Sequence, residues 1–104
     1  MSFKKQFLKS KPVCKVTFRL TKEQAQSAES VHIVGDFNDW EPAATPMKKL
    51  KNGDFSLALN LESGKSYEFR YLLGADVWEN DWDADDYKPS SVGDSDNSVI
   101  ICEA

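Results

Sequence analysis

The chain has 104 residues, 40% hydrophobic and 29% charged, with a formal net charge of −4. That size and balance suit one soluble domain around one core, and no apolar run approaches the roughly 20 residues of a membrane-spanning helix. The acids gather between Asp76 and Asp96 and the start is basic, and an acidic protein with one short basic end is a poor candidate for nucleic acid, which most of its surface would repel.

Residues 1–12 carry Lys4, Lys5, Lys9 and Lys11 and no acid. Phe3, Phe7 and Leu8 fall at roughly helical spacing, and the segment reads as a basic arm, frayed or loosely docked, that ends at Pro12. It is too short to hold a membrane surface by itself. Met1-Ser2-Phe3-Lys4-Lys5 lacks the apolar stretch of a secretory signal, which makes a cytoplasmic location the expectation. The domain proper then runs over 13–104. Residues 13–20 alternate, with Cys14, Val16, Phe18 and Leu20 against Lys15, Thr17 and Arg19, as a strand with one wet face does. Thr21 to Ser30 is polar; Thr21 and Gln24 have the spacing to cap one helical turn, and a loop is the other reading.

Val31 to Val34 opens as a strand with Val31 and Ile33 on one face and His32 and Val34 on the other. Gly35 is read as the point where the chain takes angles that other residues avoid. Asp36, Asn38 and Asp39 are turn formers, and two large aromatics sit among them. Phe37 is read as a core plug; Trp40 either closes a corner or faces a ligand. Asn52-Gly53 between extended segments predicts a hairpin. Phe55, Leu57, Leu59 and Leu61 share one face of its second arm. In the next strand Tyr67, Phe69, Tyr71 and Leu73 point inward and Glu68, Arg70 and Leu72 outward. Residues 77–97 form an acidic, Trp-containing region with little strand character, and Ser98 to Cys102 is a last short strand. About seven short antiparallel strands with frequent turns and no convincing helix give an all-β sandwich.

Gly-Asp-Phe-Asn-Asp-Trp at 35–40 resembles the Gly-x-Phe-Asn-x-Trp signature of the early-set, immunoglobulin-like domains. These are found at the N-termini of isoamylases and glycogen branching enzymes and in the β subunit of the AMP-activated protein kinase, and form the family 48 carbohydrate-binding modules. The likeness continues through Phe69-Arg70-Tyr71-Leu72-Leu73 and Trp78 to the last strand, over roughly residues 13 to 102. It implies an immunoglobulin-like fold and non-catalytic binding of an α-1,4-glucan polysaccharide such as glycogen or starch, or of a maltooligosaccharide. Matched residue by residue, it puts the two stacking platforms on Trp40 and Trp78, the basic residue between them on Arg70, and the amide before the final strand on Asn97. The basic residue is Arg where the kinase domain has Lys, and the loop before Trp78 is one residue longer. Trp82, and Val92 in place of the family's inserted aliphatic residue, are further candidates.

The chemistry fits those residue types. A glucose ring has an apolar face of C–H groups and a rim of hydroxyls, and an indole offers a flat apolar surface with one N–H at its edge. An Arg has several donors for sugar hydroxyls. Each residue also has a plainer role: the tryptophans as core or corner plugs, Arg70 as a solvated charge beside Glu68 or an acid of the 76–86 loop, Asn97 as a turn residue. Asp81-x-Asp-x-Asp-Asp86 looks like the start of a calcium loop but lacks Gly at the sixth position and Glu at the twelfth, so a solvated acidic loop is expected and no cofactor or metal. His32 is the only histidine, with no nucleophile pattern beside it, and the chain is expected not to be an enzyme. Cys14 and Cys102 fall in the first and last predicted strands, where a disulfide is conceivable and two buried thiols are favoured in a reducing compartment. The competing function is an accessory, protein-interaction early-set domain that contacts a glucan-metabolising enzyme and has no glucan site of its own.

Overall fold

Strict alternation along the chain builds two sheets that bury one face each. The computed structural model describes residues 3–7, 12–26, 28–42, 44–74, 77–81, 84–89 and 96–102. Among them are nine strands: β1 (Phe3–Phe7), β2 (Val13–Leu20), β3 (Val31–Gly35), β4 (Lys48–Lys49), β5 (Phe55–Glu62), β6 (Lys65–Leu73), β7 (Val77–Glu79), β8 (Asp86–Pro89) and β9 (Asp96–Cys102). The first sheet runs β1-β2-β5-β4 and the second β3-β6-β9-β8, with β7 pairing the far end of β6. Every pairing is antiparallel. The fold is the expected all-β sandwich, with more strands than expected because β1, β7 and β8 are short pieces in segments with little strand pattern.

The inward positions of both sheets meet in one core that includes Phe18, Leu20 and Phe55 from the first sheet and Ile33, Phe69 and Tyr71 from the second. Phe18 and Phe69 touch edge-on across the sandwich, centroids 5.4 Å apart, and Phe69 meets Tyr71 at 5.6 Å. Val34, Leu72 and Val99 are also buried, yet they stand on the opposite face of the second sheet and outside that core. That sheet therefore has an apolar floor on its outer side.

The basic arm departs from its sequence reading. Residues 3–7 are neither frayed nor helical; they form edge strand β1, with Phe7 opposite Cys14 and Lys5 opposite Val16. The pairing satisfies the backbone of β2, which would otherwise be an open edge. Lys5 stretches over the seam of the sandwich and donates to Asp85 at 2.5 Å and to the Ile101 carbonyl at 3.0 Å, so the strand is tied to the other sheet. Thr21 and Gln24 do exchange reciprocal capping hydrogen bonds, 2.9 and 3.1 Å. The Asn52-Gly53 hairpin is present, but Gly53 alone takes positive φ (93°), and the strands resume pairing only at Lys49↔Phe55.

Cys14 and Cys102 are free, buried thiols, one in each sheet. Burial first, and then the neighbouring Cys14, push the Cys102 thiol up to about 12. Burial also raises Tyr71, reinforced by Asp81, and raises Tyr67. Groups held protonated in the folded state give stability that is whole below their unfolded pKa, 9.0 for the thiol and 10.0 for the phenols, and is lost as pH rises through the folded values. The urea midpoint is expected to fall as the pH rises from about 9 towards about 12; an unchanged midpoint overturns this.

Candidate functional site

Each residue of the 35–40 motif has a separate structural task. Gly35 is extended (φ −175°), so its conformation is open to any residue. Its lack of a side chain serves close packing instead: a Cβ there would lie 2.7 Å from the Phe69 Cβ and closer still to the Glu68 carbonyl oxygen. The sequence reading of Gly35 as a bend is corrected accordingly. Phe37 is half-buried against Phe18, Tyr67 and Phe69, centroids 6.2 to 6.4 Å away, as a core plug. Asn38 accepts from the Gly35 N–H at 3.0 Å and donates to the Ile33 carbonyl and the Thr45 hydroxyl, both at 2.9 Å, which staples the turn to β3.

The corner then turns left-handed at two successive residues without glycine, Asp39 (φ 56°) and Trp40 (φ 57°). For a residue as bulky as Trp this is an outlier. The Trp40 N–H donates to the Gly35 carbonyl at 3.0 Å, and its indole N–H donates to Asp36 at 2.9 Å. Trp40 stays half-buried.

β6 supplies the centre of the outer face. Its outward residues are Glu68, Arg70 and Leu72; Val34 lies opposite Arg70, while His32 and Trp78 flank Leu72 on its two sides. Trp78 is 43% exposed. Arg70 Nε donates to Asn97 Oδ1 at 2.6 Å, and Asn97 Nδ2 donates to Glu68 at 3.2 Å. Asn97 is thus a buried amide inside β9, clamped at both ends, and not a turn residue. Among the described residues Arg70 reaches a carboxylate through Asn97 rather than directly. Lys88 of β8 lies opposite Asn97. Two polar atoms of this face, Arg70 Nη2 and His32 Nδ1, are buried with no hydrogen-bond partner among the described residues.

The structure therefore brings Arg70, Asn97 and Trp78 onto one sheet face and sets Trp40 at its end, where Asp36 also accepts the Glu68 N–H at 2.8 Å. Trp82 and Val92 lie outside the described residues. Asp81, the first acid of the supposed calcium loop, turns inward: it is 2% exposed and accepts the Tyr71 hydroxyl at 2.5 Å, while its N–H donates to the Ser98 hydroxyl at 2.7 Å. The sequence reading placed Glu68 beside Arg70 as a charge partner but not the Asn97 bridge between them. It missed Asp36 as a member of this constellation, because Asp36 reads as an ordinary turn former.

A model of the family described as Carbohydrate-binding module 48 (Isoamylase N-terminal domain) matches residues 12–88. Similar proteins include the Arabidopsis thaliana chloroplastic protein PTST homolog 2, 36% identical over 72% of this chain and 13% of its own length. The amylopullulanase of Thermoanaerobacter thermohydrosulfuricus is 29% identical over 84% of this chain and 6% of its own. The 1,4-alpha-glucan-branching enzyme of Felis catus is 47% identical over 43% of this chain and 6% of its own. The chain thus corresponds to a small part of each of these proteins. With the family model covering residues 12–88, the chain belongs to the carbohydrate-binding module 48 family.

Proposed function

We propose that the outer face of the second sheet binds α-1,4-glucan without catalysing its cleavage. Trp40 and Trp78 supply the stacking platforms, and Arg70 and Asn97 the polar contacts. The observation that carries this reading is Trp78: a large aromatic 43% exposed on the same sheet face as an arginine whose Nη2 has no partner among the described residues. An exposed indole gains by covering the apolar face of a sugar, and an orphaned buried donor calls for an acceptor. From Glu68, which shares Asp36 with the Trp40 indole, to Leu72, opposite Trp78, the face runs about 13 Å along β6 at roughly 3.3 Å per residue. That leaves room for more than one pyranose ring between the platforms. Membership in a binding-module family, and relatives named as amylopullulanase and 1,4-alpha-glucan-branching enzyme, support the same substrate class.

Stacking on one exposed ring is worth about 1.5–2 kcal/mol after ordering costs. Maltoheptaose should therefore bind in the range of about 10 µM to 1 mM, and Trp78→Ala should weaken it by about ten- to thirtyfold with the fold intact. Calorimetric titration of both proteins checks this; equal affinities with intact folding overturn the assignment.

A second reading has its own support. Among the described residues Val77 (41% exposed) and Tyr87 (43%) are the other exposed large apolar ones, and on this reading they dock on a glucan-metabolising enzyme instead of a sugar. Retention on insoluble starch, released by β-cyclodextrin, favours the glucan site; retention by an enzyme partner and not by starch favours the accessory role.

A further inference from the structure

We propose that Asp36 is the positioning residue for Trp40: one carboxylate holds the indole N–H and the backbone of β6 together, and so fixes the plane of the ring that faces the sugar. The inference rests on the glucan-binding reading of Trp40 and goes beyond it. Asp36 Oδ1 accepts the Trp40 indole N–H at 2.9 Å, and Oδ2 accepts the Glu68 N–H at 2.8 Å. Both bonds are charge-assisted and short enough to be strong. Glu68 is the residue whose side chain orients Asn97, and through it Arg70. The Trp40 platform and the polar centre of the face are thereby referenced to the same point on β6.

The backbone points the same way. A tryptophan in the left-handed region is strained, and strain persists only where the surroundings hold it. Here the Trp40 N–H to Gly35 and the Glu41 N–H to Asn38 (3.0 and 3.2 Å) fix the main chain, and Asp36 fixes the ring. Trp40 keeps part of its surface in solvent, where a ligand can reach it. A displayed ring recovers the strain in binding, because a side chain already immobilised loses less freedom when the ligand arrives. The clamp also takes up the only donor of the indole. Trp40 then offers its apolar face alone, and the reading of hydroxyls falls to Arg70 and Asn97.

The test uses the full chain labelled with 15N at its tryptophan indoles and titrated with maltoheptaose. Asp36→Ala is expected to weaken binding about three- to tenfold, the cost of ordering one freed aromatic side chain. It should also speed exchange of the Trp40 indole proton with water and leave the Trp78 resonance in place. In a Trp40→Phe background, which has a ring but no N–H to clamp, Asp36→Ala is expected to cause no further loss. Asp36→Asn keeps an acceptor for only one of the two N–H groups and supplies the same readouts if Asp36→Ala does not fold. Wild-type affinity in the folded Asp36 variant overturns the proposal, as does an equal loss in the Trp40→Phe background, which would mean that Asp36 acts only by capping β6. No binding of maltoheptaose by the unmodified chain overturns the glucan reading itself, and the role of Asp36 in binding with it.

Discussion

Replacing Phe69 with alanine is expected to lower the unfolding free energy by about 3–5 kcal/mol, the range for emptying a buried aromatic site that cannot collapse. Phe69 is 0% exposed and its ring touches Phe18 of the facing sheet. Its ring meets Phe18 at 5.4 Å, Tyr71 at 5.6 Å and Phe37 at 6.4 Å, so one deletion removes support from both sheets and from the turn that carries Trp40. Phe18 and Tyr71 are rings fixed by their own strands and Phe37 by a hydrogen-bonded turn, so none can slide in. Against a typical total of about 5–15 kcal/mol for a small domain, the variant should unfold at a much lower urea concentration, with the slope unchanged. Urea titration followed by tryptophan fluorescence measures this. A midpoint equal to that of the parent chain would show that the ring is not central to the core.

Much of this architecture was legible in the sequence because alternation has only one explanation. Cys14, Val16, Phe18 and Leu20 are buried, and so are Phe69, Tyr71 and Leu73, in the faces that period-two patterning assigns. The segments that defeated the pattern are those whose pairing is set from outside. Phe3–Phe7 is a strand because β2 has an edge to cover and Asp85 waits for Lys5, and neither fact is visible within the first twelve residues. The acids at 76–86 look interchangeable in sequence, yet Asp81 is buried under Tyr71 and Ser98. Burial of an acid depends on a partner ten or more residues away, which no local rule supplies.

The same distinction divides the functional face. Arg70 pointing outward follows from the parity of β6, whereas Trp78 opposite Leu72 depends on the pairing of β7 with β6, which the sequence of that segment does not show. The role of Asn97 could not be read locally, because it depends on the register that brings β9 beside β6 and lets the amide bridge Arg70 and Glu68. Gly35 shows the opposite error. Glycine before a turn suggests a special φ, whereas this glycine has an ordinary extended φ and is needed for lack of volume.

That makes Gly35→Ala the sharper test of how the site is built. The added methyl meets the Glu68 carbonyl and the Phe69 Cβ, 2.7 Å away. Neither is the far end of a flexible side chain, so β3 must move away from β6 where Gly35 pairs with Phe69. Overpacking of this kind costs about 1–3 kcal/mol, and the rigid obstacle places this case near 3. Trimming Phe69 to alanine does not relieve it, because the carbonyl and the Cβ both remain. The displacement reaches binding as well as stability: Gly35 accepts the Trp40 N–H and precedes Asp36, so the clamp on the indole shifts with the strand. Gly35→Ala is therefore expected to melt earlier and also to bind maltoheptaose about tenfold more weakly under conditions where it is fully folded, with Trp78 still responding to the sugar. Parent-like stability would mean that β3 and β6 have slack at this point; lowered stability with parent-like affinity would mean that the Trp40 corner does not depend on their close approach.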